Sequence, residues 1–186
     1  MARGAAPAYA PGVTALLLAP LLASLCAAAP ATPAPAAGDP VEARRAAIAA
    51  ELVKLGQVLR REIEAGDVDA LLARVPADGL ACGARVVPRA KVARDLRSPR
   101  SWLRGVFFGG PGFVPPKGVA PSLRALFHGS REVAVLVGFA ADDAAGPEGR
   151  PCIDFRAKGL GTPGAPLCFE ARQGRWLFTQ SLYPCR

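Results

Sequence analysis

Few residues in this chain have side chains suited to catalysis. His128 is its only imidazole, set in Leu-Phe-His-Gly-Ser-Arg-Glu with Ser130 and Glu132 beside it. Imidazole is the one side chain that normally changes charge near neutral pH, which makes His128 the catalytic candidate, and a weak one. A serine two residues away becomes a nucleophile only if the backbone aims both groups at one point, and there is no Gly-x-Ser-x-Gly elbow. Gly109-Gly110-Pro111-Gly112 lacks the Gly-Lys-Ser/Thr of a phosphate loop, and Pro111 removes an N–H donor. It reads as a turn or a flap at a pocket mouth. Asp142-Asp143 lacks the spacing of a calcium loop and reads as a solvated turn. With no Cys-x-x-Cys and a single histidine, neither a metal nor a cofactor is expected.

Two other residue classes are more informative. Of the five cysteines, Cys82, Cys152, Cys168 and Cys185 lie beyond the first 38 residues, an even set that suggests two disulfides in an exported domain. Four cysteines allow three pairings. Cys152–Cys168 would close a hairpin, and Cys82–Cys185 would tie the chain's end to its first strand. The chain also carries a net charge of +8. Most of that excess falls between Arg85 and Arg104, where Arg85, Arg89, Lys91, Arg94, Arg97, Arg100 and Arg104 face a single acid, Asp95. A run of this kind is usually a solvated face. Arg89, Lys91, Arg94, Arg97, Arg100 and Arg104 are nevertheless the candidates for an anion-binding patch.

The elements that must hold these groups follow from periodicity. Asp39, Pro40 and Glu42 form a helix start with a capping box. Ile48, Leu52, Leu55, Leu59 and Ile63 then recur on one helical face up to Gly66. Asp67 opens a second, shorter helix that stops at Pro76. Leu80 to Val87 reads as one strand carrying Cys82, and Pro88 to Leu96 as a basic helix. Ser98-Pro99 reads as the start of another helical turn presenting Trp102, a core anchor, and Leu103. Gly109 to Pro121 is a loop, and Ser122 to His128 fits strand or helix. Val133, Val135, Val137 and Phe139 alternate with small or apolar residues, so this strand reads as central.

Cys152–Ala157, Leu167–Arg172 and Arg175–Tyr183 read as further strands, the last two joined at Gln173-Gly174. Counting from that turn sets Phe169 opposite Phe178 and Ala171 opposite Trp176, with Leu167 on the same core side. The neighbouring strand has two possible registers, Phe155 opposite Phe169 or Cys152 opposite Cys168, and only the second permits the disulfide. Asp154 and Glu170 then face away from the aromatic core, which argues against a buried general base.

The first 38 residues carry one charge, Arg3, then an apolar stretch from Val13 to Ala29, small residues, and an Ala/Pro tract. This is the pattern of a secretory signal peptide. The expected organisation is a signal peptide over 1–28, a disordered Ala/Pro-rich leader over 29–38, and one α+β domain over 39–186. The protein is accordingly expected to be secreted or periplasmic. A lipidated Cys26 or an uncleaved leader would instead tether it to a membrane as a lipoprotein or anchored protein. Leu25 before Cys26 and Pro20 within the apolar stretch count against both.

Two segments, Glu64–Pro76 with its Gly-Asp-x-x-Ala-Leu pattern and Cys168–Tyr183 with Gly-x-Trp before the last strand, resemble the nuclear-transport-factor-2-like (SnoaL-like) superfamily. The resemblance implies an α+β cone of the cystatin/nuclear-transport-factor-2 type: a curved antiparallel sheet packed on N-terminal helices, often around an apolar pocket. The two disulfides and the basic stretch depart from that pattern. An isomerase of the superfamily would need a pocket carboxylate with a tyrosine or acidic oxyanion donor, and only Tyr183 is offered after the leader. Fold alone does not select a function.

The residues favour an exported, disulfide-stabilised binding or structural module over an enzyme. Its expected partner is a small molecule or an anionic envelope surface, not nucleic acid. The alternatives are a small-molecule isomerase or hydrolase with an apolar cone pocket, and an anion-binding envelope protein using residues 85–104.

Overall fold

Asp39 starts the first helix, α1 (Pro40–Ala65), with Pro40 at its first position and the Asp39 carboxylate accepting from the Val41 amide at 2.9 Å. Glu42 does not close a capping box: its carboxylate pairs with Arg45 at 3.0 Å, one helical turn on. The computed structural model describes residues 39–82, 84–141, 145–179 and 183. The expected signal peptide, leader and Cys26, together with Asp142-Asp143 and Cys185, lie outside the described residues. All described residues belong to one unit, Ala37–Arg186. Among them, no helix is long and apolar enough to cross a membrane.

After α1 come α2 (Val68–Leu72), a hairpin of β1 (Leu80–Cys82) and β2 (Arg85–Val87), and the helices α3 (Arg89–Arg97), α4 (Trp102–Phe108) and α5 (Leu123–Gly129). The strands β3 (Val133–Ala140), β4 (Arg150–Ala157), β5 (Leu167–Arg172) and β6 (Arg175–Phe178) then form an antiparallel sheet in sequence order. This is an α+β arrangement with helices preceding the main sheet. Leu52, Leu59 and Ile63 of α1 are wholly buried, and each contributes roughly 1.5–3 kcal/mol through burial. Gly56 lets the helix settle onto β3, since a Cβ there would overlap Val135. Phe155 stacks edge-on against Phe127 of α5 at 4.9 Å, and Phe169 lies 5.0 Å from Phe178.

Several expectations need correction. The single strand over 80–87 is a hairpin, Leu80 facing Val87 and Cys82 facing Arg85. The helix after α3 is capped by Ser101, whose side chain accepts from the Arg104 amide, and not by Ser98-Pro99. Trp102 is half-buried and meets Phe113 edge-on at 6.1 Å. Ser122 to His128 resolves as helix because Ser122 caps it, accepting from Ala125 at 3.0 Å.

The strand over 133–140 is not central. It is the edge of the sheet, its odd residues half-buried on the side of α1 and its even residues exposed. Ala134 and Gly138 carry so little side chain that an open face still reads as apolar. The last strand ends at Phe178, well before Tyr183. Its hairpin has the register obtained by counting, closed by Gln173 and Gly174 with φ of 51° and 73°, the left-handed pair of a type I′ turn. Ala171 is exposed and Trp176 only half-buried, because the hairpin tip projects past the core.

Of the two readings of Gly109–Gly112, the turn is the one found, at Pro111 and Gly112. The Gly109–Pro121 loop folds back on α4, where Phe113 packs over Gly105 and Gly112 lies against the backbone of Arg100 and Ser101. A Cβ on Gly112 would overlap both of those carbonyl oxygens. Gly112→Ala is therefore expected to lower stability by about 1–3 kcal/mol through overpacking, read from the urea midpoint. A neutral result would mean the loop is not held against α4.

Candidate functional site

The site is built by a fork in the sheet. Cys152 faces Cys168 and Ile153 faces Leu167, and among the described residues no other pairs join β4 to β5. From there β4 stays with β3, Pro151 opposite Phe139, while β5 turns away to pair with β6. The Cys152–Cys168 disulfide sits at the apex with its Cα atoms 3.9 Å apart, so the disulfide register is the one adopted. Cys82 is also disulfide-bonded; its expected partner, Cys185, lies outside the described residues.

The widening gap is a cleft of about 370 Å³. Its apolar walls are Ile48 of α1, Pro151, Phe169 and Trp176, and its polar groups are Glu148, Arg150, Glu170 and Thr179. Trp176 is steadied by its indole N–H, which donates to Glu51 of α1 at 3.1 Å. Thr179 is held at the fork by its amide, which donates to the Cys168 carbonyl at 3.1 Å. Its hydroxyl oxygen is buried with no hydrogen-bond partner, although nearly all buried polar groups have one.

Glu148 closes the far end. Arg44 pairs with its carboxylate at 3.1 Å, and Arg45 Nε donates to its carbonyl at 3.0 Å while lying 5.5 Å over the Phe139 ring. A backbone hydrogen bond, then the Arg44 guanidinium, hold this carboxyl below the usual glutamate range.

No protein-family model, curated protein or solved structure matches this chain. The groups themselves must then indicate the chemistry.

His128 is exposed on the last turn of α5, and the Ser130 hydroxyl donates to the Glu132 carbonyl at 3.0 Å. Neither arrangement forms an activated Ser–His pair. Among the basic candidates, Lys91 pairs with Asp95 at 2.6 Å and Arg97 with Asp69 at 2.5 Å. Arg89 donates to the Leu72 carbonyl and Arg104 to that of Leu96, both at 3.0 Å. Arg89 and Arg97 share a surface hollow of about 620 Å³, but Asp69 lines it too. Arg94 and Arg100 stand exposed, with no ion pair among the described residues.

Asp95 also accepts from the Tyr183 hydroxyl at 2.8 Å, and Lys91 lies 5.4 Å over that ring. Burial, then Asp95, push the phenol pKa up. Tyr183 thus packs on α3 and is not among the residues that line the cleft.

A second hollow, about 490 Å³, runs along the open face of β3 past Leu136, Gly138 and the disulfide. Among its described lining residues the one charged group is Asp154, which is bound to Arg156 at 2.6 Å. It has no unpartnered polar group to orient a ligand, and the fork does.

None of Glu148, Trp176 or Thr179 was singled out by the sequence as a site residue. The signal for Trp176 was its place opposite Ala171 near a hairpin tip, where a large aromatic has more surface than the core can cover. For Thr179 there was none, since its burial depends on where β5 leaves β4.

Proposed function

We propose that this protein is an exported binding module that holds a small amphipathic molecule in the cleft at the sheet fork. The observation that supports this reading is the Thr179 hydroxyl, buried without a partner beside Trp176, Phe169 and Ile48 in a cavity of about 370 Å³. Ligand sites are typically clefts of roughly 300–1,000 Å³ with mostly apolar walls and a few placed polar groups. A cone-type sheet, as the superfamily resemblance implies, would place this opening beside α1. Disulfides and an apolar leader suit an oxidising compartment outside the cytosol. Binding is favoured over turnover because no nucleophile–base pair is assembled at His128 and Ser130.

The test is titration with N-phenyl-1-naphthylamine, a neutral probe that brightens in apolar cavities. It is expected to bind the wild-type protein and quench Trp176. Trp176→Ala should weaken binding by about 10-fold or more, the effect of removing a well-packed aromatic anchor. Equal binding by the variant would remove the cleft as the site.

A further inference from the structure

We infer that two copies of this chain pair antiparallel along β3, joining their sheets into one across a two-fold axis. β3 is an edge strand. Among the described residues, no backbone hydrogen bond outside its ladder with β4 involves residues 133–140. The amides and carbonyls on its outer side are therefore open to a further strand.

Proteins usually guard such an edge by keeping it short, bending it with a bulge, or placing a charge or proline on it. The far edge of this sheet is guarded. β6 has four residues and starts at Arg175, and the Phe178 amide donates to the Arg74 carbonyl at 2.9 Å. β3 has none of these devices. Its eight residues carry no charge and no proline, and its ladder runs unbroken from Val133 opposite Ala157 to Ala140 opposite Arg150.

The side chains suit a second copy. Ala134, Leu136, Gly138 and Ala140 stand exposed on one face, and the odd residues are only half-buried on the other. Antiparallel pairing with Leu136 opposite Leu136 sets Val135 against Val137, Val133 against Phe139 and Ala134 against Gly138, apolar with apolar on both faces. The chain carries a net charge of +8, so two copies repel where their charges meet. Along β3 they bring none, and Arg131 and Glu132 just before it cancel. A foreign peptide would draw specificity from pockets for its alternate side chains. On the inner face that space is taken by α1, where Gly56 sits against Val135.

Eight residues at about 3.4 Å each make an edge of about 27 Å. A contact of that size falls below about 1,200 Å² in total, the class of weak and transient association.

Sedimentation velocity on the purified, disulfide-intact protein tests this, over about 1–500 µM, the range in which weak complexes form. Monomer is expected to give way to dimer as concentration rises. Hydrogen exchange in the peptide covering 133–140 should slow by about 5-fold at the concentrated end, since pairing protects the outward amides. A dimer made through the sheet faces would leave those amides exchanging as before. Leu136→Lys, at a position 49% exposed, sets two ammonium groups directly opposite each other in the dimer. This variant should remain monomeric throughout, with the thermal unfolding of the dilute wild-type protein. A wild-type protein that stays monomeric, a dimer without slowed exchange in 133–140, or a dimer that survives Leu136→Lys overturns the inference.

Discussion

Phe155→Ala is expected to destabilise the protein by about 3–5 kcal/mol, against a total that for domains of this kind is about 5–15 kcal/mol. Phe155 is 1% exposed, sits opposite Val135 on β3, and packs edge-on against Phe127 at 4.9 Å. Removing the ring takes away buried area, an aromatic pair and the contact between the sheet and α5 together. The surroundings have little freedom to collapse. Val135 is fixed by the ladder and by its contact with Gly56, and α5 is fixed by its Ser122 cap. Arg60 lies 5.7 Å over the Phe127 ring, a second contact that holds that ring in place.

Urea unfolding followed by circular dichroism measures the loss. Leu136→Ala is the control, on the open face of the same sheet and 49% exposed, where the change should stay within about 0.5 kcal/mol. A loss at Phe155 no larger than at Leu136 would mean that the core does not run through β4 and α5.

What the sequence showed and what it hid differ in physical origin. The long helix was legible because Leu52, Leu55, Leu59 and Ile63 repeat a local period, and all four are buried as that period requires. The β5–β6 register was legible because a two-residue turn fixes it by counting. The β4–β5 register was legible through the cysteines, since only one of two candidate alignments brings two sulfurs together.

Edge and centre were not legible for β3. Alternating apolar residues satisfy both roles, and the choice depends on whether anything covers Ala134, Leu136 and Gly138. The basic helix was legible as a helix but not as a surface. The partner of Arg97 is Asp69, 28 residues away and brought close by α2. Spacing within α3 cannot show that. The cleft was least visible of all, because it is made by the strands parting. Glu170 was read correctly as facing away from the aromatic core, yet that same placement puts it at the fork, where it lines the cleft with Thr179.

The fork makes the second large effect specific. Replacing both Cys152 and Cys168 with alanine, leaving Cys82 in place, is expected to cost about 3 kcal/mol. That is the value for cross-linking a loop of this size, whose ends are 16 residues apart in sequence. The loss should exceed that of a disulfide placed mid-sheet. Among the described residues only two pairs hold β4 to β5, and one of them is the bridged pair.

The consequence for binding follows from the same geometry. The disulfide fixes where the strands separate, and hence the distance across the cleft between Pro151 on one side and Phe169 and Trp176 on the other. N-phenyl-1-naphthylamine affinity of the folded double variant is therefore expected to fall by about 10-fold, beyond any loss due to unfolded protein. Denaturant curves and probe titrations on the same samples separate the two effects. If stability falls while affinity of the folded fraction is unchanged, the strands alone set the opening and the crosslink acts only on the unfolded chain. If affinity falls as expected, the bridge that stabilises the fold also sets the width of the site.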